Sequence, residues 1–525
     1  RGFREKSSLL FQGLMKRFHI LAVAAALACA CTSAEPAPEI ILGGELANSS
    51  ASSPEYLRSR GSFKALREAG LNTVLCPVYW ELIEPEEGRF DFSTVDALLK
   101  DARKSGLHLV LLWFGTWKNS MSCYVPAWVK QGFGSRFTLA QLPDGSTQEI
   151  ISAFDGEALA ADCRAFSALM EHLSRVDSRK GTVLMVQVEN EIGFLGAARE
   201  YGQAAQAAWE AEGHTGADPY EEECFQARHY ARYAGAVAAA GKASYDIPMF
   251  VNAALDSRGR KPGEYPSAGP LAQLMDIWKT EAPAIDMMCP DIYDPGFPDW
   301  IARYDRPGNR LFIPEIRQSP ENGARVFYAL GRHGALGFSP FNIDADMEPT
   351  AEAYRLLGGF TSLIARKQAE GKACGVLLDR DHPEETVTIA GTDILCRHDG
   401  TLSWSPVYGR PEDWGEAALL ILDLDEDGLL FLGTGCVATM APTGSGATTT
   451  ENGAAPASSG AAPAGSGAAP ANNRGHCGIL SIDEVTDGSL KPLRRLNGDE
   501  NHQGRHLRIP HGSYGAQLLK LYRYD

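Results

Sequence analysis

VLMVQVENE, residues 183–191, begins as an apolar run and ends among polar side chains, Gln187, Glu189, Asn190 and Glu191. A near-continuous apolar run of this length suits a strand covered on both faces of a parallel sheet. Val186, Val188 and Ile192 flank the polar residues. Such a run rarely carries acids and amides without a task, because burying them unpaired is unfavourable. Working outward, comparable runs lie at 39–45 (EIILGGE), 73–80 (TVLCPVYW) and 107–115 (LHLVLLWFG) on one side. On the other side lie 249–254 (MFVNAA), 286–293 (DMMCPDIY), 311–316 (LFIPEI) and 336–343 (LGFSPFNI). Amphipathic stretches at 93–105, 158–176, 219–240, 270–279, 320–332 and 348–366 separate most of them. Strand–helix alternation repeated eight times predicts an α/β fold, a (β/α)8 barrel of the TIM type, over residues 35–370.

The pattern changes after that. ETVTIAG (385–391), AALLILDLD (417–425), GLLFLG (428–433), CGILSIDEV (477–485) and AQLLKLYRY (516–524) are short strand-like runs split by Asp, Gly and Asn. They predict a C-terminal all-β, sandwich-like domain over 371–525. Residues 441–474 interrupt it and are almost entirely Ala, Pro, Gly, Ser, Thr and Asn, and GAAPA recurs at Gly453, Gly460 and Gly467. This low-complexity insertion has too little apolar material for a core. At the other end, Lys16 and Arg17 precede an apolar stretch at 18–28 and then small residues, the pattern of a secretory signal over 1–34. Cleavage after Ala34 or lipid attachment at Cys29 are the two ways it ends, so the expected location is periplasmic or an anchored outer-membrane lipoprotein.

Composition narrows the function classes. The chain has 525 residues, 44% hydrophobic and 9% aromatic, enough for a sizeable core. The net charge is −17 with no basic run, which argues against a nucleic-acid partner. No apolar run after residue 35 approaches the roughly 18 residues of a membrane span. Of the eleven Cys, Cys29 and Cys31 lie close together in the leader and the other nine are scattered, without a C-x-x-C pair, and read as isolated thiols; no metal or cofactor is implied.

A barrel's active site lies at the C-terminal ends of its strands. That rule selects Asn190 and Glu191 after the fourth run and Glu315 in the seventh. Two carboxylates brought to one mouth by separate strands are what glycoside hydrolysis uses, one protonated and one ionised. Sugar recognition adds aromatic faces and hydroxyl-binding groups. Trp80, Trp113, Trp117 and Tyr79 are aromatic candidates by position, with Glu45, Glu81, Lys118, Asn119 and Asn252 for hydroxyls. Trp117, Asn119 and Glu45 stand first among them. Glu189 points to the opposite face from Asn190 in a regular strand.

QVENEIG (187–193) resembles the acid/base motif of clan-A retaining glycosidases, and most closely that of glycoside hydrolase family 35, with Ile192 in the usual aromatic place. LGGELANSS (42–50) and VYWELIEPEEGRFDFS (78–93) resemble that family's first two strands. WFGTWKNSMSCYVPAWVK (113–130), RRLNGDENHQGRHLRI (494–509) and LYRYD (521–525) resemble a bacterial subgroup with an appended β-domain. The resemblance implies a retaining exo-β-galactosidase acting on terminal β-D-galactosyl residues through a covalent intermediate. Glu191 would be the acid/base, Glu315 the nucleophile, Asn190 a partner of the sugar 2-hydroxyl, and Tyr293 a neighbour of Glu315. It also implies homo-oligomers. Another clan-A activity (arabinopyranosidase, fucosidase or glucosidase) and a non-catalytic glycan-binding lipoprotein remain the alternatives.

Overall fold

The computed structural model describes residues 38–60, 63–216, 218–442 and 476–524. The expected leader (1–34) lies outside them, as does the insertion apart from Ala441 and Pro442.

The barrel strands are β1 (Ile41–Leu42), β2 (Thr73–Tyr79), β3 (His108–Lys118), β4 (Val183–Asn190), β5 (Met249–Ala254), β6 (Met287–Ile292), β7 (Ile313–Ile316) and β8 (Gly337–Pro340). They form one parallel sheet in the order β1-β8-β7-β6-β5-β4-β3-β2. Leu46 N–H donates to Leu75 O at 3.0 Å and Leu75 N–H to Gly44 O at 2.9 Å, so β1 also meets β2. Every residue of β2 and β3 is buried, which is why these runs show no polar alternation.

Helices cover the outside. In α1 (Ser93–Ser105) the buried residues are Val95, Leu98, Leu99 and Ala102, the i, i+3, i+4, i+7 spacing of one helix face. Asp155 caps α2 (Gly156–Val176) by accepting from Glu157 N–H and Ala158 N–H. Asp218 and a proline in the first turn start α3 (Pro219–Ser244). The stretch expected as one helix over 348–366 is two, Glu348–Gly358 and Thr361–Ala369. They part where Gly359 passes so close to Thr486 O that a Cβ would lie 2.6 Å from it. Elements not anticipated include the helices Gln203–Ala211 and Phe297–Tyr304 and the hairpin Leu139–Gln141 with Thr147–Ile151. They are too short for a periodic signal to emerge.

The C-terminal strands are β9 (Ala373–Leu378), β10 (Glu384–Ile389), β11 (Thr392–His398), β12 (Ala417–Asp423), β13 (Leu429–Pro442), β14 (His476–Glu484), β15 (Arg494–Leu496) and β16 (Leu507–Tyr524). They make one antiparallel sheet rather than two separate ones. β13 pairs with β12 along its first half and with β11 along its second, and Val387, Ile394, Leu419, Ile421 and Phe431 share one core. The alternate residues Ala418, Leu420, Leu422, Leu430 and Leu432 join the barrel's core instead. They pack beside α4 (Asn322–Arg332), where Arg325 also makes a bidentate pair with Glu416 at 2.8 and 2.7 Å. Among the described residues, no helix is long and apolar enough to cross a membrane, and the cysteines form no disulfide.

Candidate active site

The strand ends converge on one cluster. Glu45 follows β1 and is bridged to Leu75 and Phe341. Lys118 ends β3 in register with Asn190, which ends β4, and Asp291 of β6 is in register with Glu315 of β7. Glu45, Lys118, Asn190, Glu191, Asn252, Asp291 and Glu315 are all buried.

Backbone geometry at the end of β4 is unusual. Glu189 has φ 60° and Glu191 φ 45°, and the facing turn holds Asn119 at φ 49° and Ser120 at φ 67°. Residues with a Cβ seldom adopt this region, and strain of this kind gathers at functional sites. The two segments hold each other: Ser120 N–H donates to Glu191 O at 3.1 Å, and the Asn119 amide donates to the Glu191 carboxyl. Glu191 N–H donates to Asn252 Oδ1 at 3.0 Å, and Asn252 Nδ2 donates to Asp291 Oδ2 at 2.6 Å. The Tyr293 hydroxyl donates to Glu315 Oε1.

Four carboxyls therefore share a space in which Lys118 is the opposing cation. Burial first, and the Glu315 charge second, push Glu191 up to about 7. Burial and then Glu315 raise Glu45 well above the carboxylate range. Asp291 is raised by burial, then by Glu315 and Glu191. Burial, followed by the Glu315 charge, keeps the proton on the Tyr293 phenol. Both side-chain atoms of Asn190 are buried without a hydrogen-bond partner, and the Glu45 carboxyl shares a hydrogen bond with that of Glu315. Unpartnered polar atoms at such depth are costly unless a ligand meets them. The arrangement can hold one carboxyl protonated near neutral pH beside another that accepts a hydroxyl hydrogen bond.

Of the residues singled out from sequence, Glu45, Asn119, Asn190, Glu191, Tyr293 and Glu315 are brought together here. Trp80 and Trp117 are not sugar platforms, and this corrects the expectation. Trp80 is fully buried, its indole N–H donating to Glu84 Oε2 at 2.9 Å and its ring against Trp113 and Trp128. Trp117 is fully buried too, donating to Ile151 O at 3.1 Å and packing on Tyr230 and Tyr233 of α3. Strand alternation is the reason: Lys118 faces the carboxyls, so its neighbour Trp117 faces the helix layer. Glu189 also faces that layer, accepting Trp117 N–H at 2.7 Å, with its carboxyl raised by burial and by Asp162.

Asp291 escaped the sequence reading. Its signal was an acid in an apolar run, two residues before Tyr293 and so on the same strand face. Lys118 and Asn252 were noted only as hydroxyl-binding groups, yet Asn252 bonds to the catalytic-candidate backbone itself.

Residues 35–239 match the model of glycosyl hydrolases family 35, and residues 350–508 match DUF5597, a domain of unknown function. A curated β-galactosidase from Xanthomonas manihotis is 32% identical over 137 residues, covering 24% of this chain and 20% of that protein. The chain thus spans about a fifth of that relative's length. Similar solved structures include the catalytic domain of a β-amylase from Paenibacillus polymyxa, with TM-score 0.46 and 11% identity over 60% of this chain and 95% of that one. A β-galactosidase from Rahnella sp. R3 gives TM-score 0.45 and 14% identity over 63% of this chain and 57% of that one.

Proposed function

With a glycosyl hydrolases family 35 domain over residues 35–239 as the premise, we propose that the chain is a retaining exo-β-galactosidase. The observation that carries this reading is the unequal treatment of two buried carboxyls, Glu191 pushed up to about 7 and Glu315 accepting the Tyr293 hydroxyl. Glu191 then gives its proton to the glycosidic oxygen as the bond to the leaving group breaks. Glu315 attacks the anomeric carbon and forms the glycosyl–enzyme ester. Glu191, now ionised, takes a proton from water, which attacks the same carbon and releases the sugar and free Glu315. Asn190 would bind the 2-hydroxyl, a role its unpartnered amide supports. Glu45, beside Glu315 at the same mouth, would be a second group for sugar hydroxyls. Export, supported by residues 15–34, and assembly into homo-oligomers belong to the same proposal.

Kinetics on a panel of nitrophenyl glycosides test it. The β-galactoside is expected to be the best substrate, and NMR of the first-formed product to show the β anomer. Glu191→Gln and Glu315→Gln should each lower kcat by about 10²–10⁴ with the fold intact. A galactoside that ranks last would hand the activity to another clan-A glycosidase. An α anomer formed first would remove the retaining mechanism.

A further inference from the structure

One buried carboxyl in the cluster has no step in the reaction above. Asp291 lies in β6, 1% exposed, and its Oδ2 accepts the Asn252 amide at 2.6 Å. Asn252, in β5, uses its other amide atom, Oδ1, to accept Glu191 N–H at 3.0 Å. The backbone N–H can only donate, so it fixes Oδ1 toward Glu191 and turns Nδ2 toward Asp291. The chain of bonds thus runs across three neighbouring strands, β6 to β5 to β4, and ends on the residue held at φ 45°. A buried N–H in that backbone has to find an acceptor, and a side-chain amide holds it only if the amide cannot rotate. Asp291 is what stops Asn252 from rotating.

We propose that Asp291 is a positioning residue: through Asn252 it clamps the strained Glu191 backbone and so aims the acid/base carboxyl. This rests on Glu191 being the acid/base. The charged groups facing Asp291 are Glu315, Glu191 and Glu45, with Lys118 as the cation, and its carboxyl also reaches that of Glu191. Burial and three acidic neighbours favour the neutral acid, which presents a carbonyl oxygen to Asn252 and an O–H to Glu191. Asparagine offers the same pair, an oxygen acceptor and an N–H donor, in the same shape.

The test uses the full chain as wild type, Asp291→Ala, Asp291→Asn, Asn252→Ala and Glu315→Gln, with kcat and KM on a nitrophenyl β-galactoside from pH 4 to 9. Asp291→Ala and Asn252→Ala should lower kcat by about 10–100-fold with little change in KM, the scale on which small misplacements act. Asp291→Ala should also move the alkaline limb of kcat/KM upward, because the hydrogen bond from Asp291 lowers the Glu191 value. Asp291→Asn should recover most of kcat and return the limb to its wild-type place. Hydrogen exchange of the peptide spanning 187–193 supplies a readout independent of turnover: it should quicken in Asp291→Ala and not in Asp291→Asn. Wild-type kcat, limb and exchange in Asp291→Ala would overturn the inference. So would an Asp291→Asn variant as damaged as Asp291→Ala, which would give Asp291 a charged role. If Asp291→Ala does not fold, Asn252→Ala decides by the same three readouts. Activity retained in Glu315→Gln would instead sink the reading of the site, with the exchange result still judging the clamp.

Discussion

Glu191 and Glu315 carry the same functional group and differ only in what surrounds them. Glu191 is raised from its ordinary 4.5 to about 7 by burial and by the Glu315 charge. Between those values the folded chain binds a proton that the unfolded chain releases, so this group's contribution to stability falls as pH rises through the window. Glu191→Gln should therefore melt higher than wild type at pH 8, with the difference shrinking toward pH 4, as read by scanning fluorimetry. With Glu191 as the proposed general acid, kcat/KM is expected to decline above about pH 7, where that carboxyl has lost its proton. Both carboxyls were legible in the sequence because each sits at the end of an apolar run, where polar residues are expensive. The tryptophans were not. Trp80 and Trp117 are aromatic residues near strand ends, but which face they occupy depends on strand parity and on the helix packed behind. Trp117→Ala should cost about 3–5 kcal/mol in urea unfolding, the cost of emptying a large core site, rather than act on KM alone.

The ends of β3 and β4 work as a pair of elements. Their registers shift between Trp113 and Lys118, and both turns use left-handed residues. Gly115 makes room for this: a Cβ there would lie 2.3 Å from Trp113 Nε1 and 2.9 Å from Glu189 Oε1. Behind it, Asp162 of α2 accepts from Trp113 Nε1 at 2.9 Å and from the Thr116 hydroxyl at 2.7 Å. Gly115→Ala should cost about 1–3 kcal/mol of stability in urea melts, the usual price of overpacking. The loop after Glu191 is tied down separately. Arg199 is buried between the rings of Tyr201 and Trp209, with its carbon centre 3.9 and 4.4 Å from their centroids, and pairs with Glu222 at 3.5 Å. Arg199→Ala leaves that carboxylate without its cation and should cost about 3–5 kcal/mol in the same measurement. Neither network shows as a motif, since its members lie 46 to 49 residues apart for Asp162 and 23 apart for Arg199 and Glu222.

At the scale of the molecule, the barrel and the C-terminal sheet share a core. β12 is apolar from Ala417 to Leu422 because Ala418, Leu420 and Leu422 meet the barrel while Leu419 and Ile421 meet the sheet's own interior. Phe327 of α4 stacks on Tyr514 with ring centroids 6.0 Å apart, and Gly331 lets the Cys374 carbonyl approach. A chain ending at residue 370 would expose that face of α4, and a large exposed apolar patch promotes association. Such a chain is expected to bind ANS and to elute as aggregates in size-exclusion chromatography, where the full chain does not.

Local chemistry set what the sequence could determine by itself. Runs of Val, Ile and Leu separated by helical periodicity specify eight buried strands, and the polar residues near the ends of 183–191 and 311–316 mark the candidate site. Those signals survive in one dimension because they depend on neighbours along the chain. Tertiary structure alone decided the rest: which face Trp117 takes, that Asp291 reaches Glu191 through Asn252, and that the C-terminal strands form one sheet sharing the barrel's core. Each of these is a contact between strands or helices far apart in sequence, fixed by register and packing, for which no single stretch of residues carries the information.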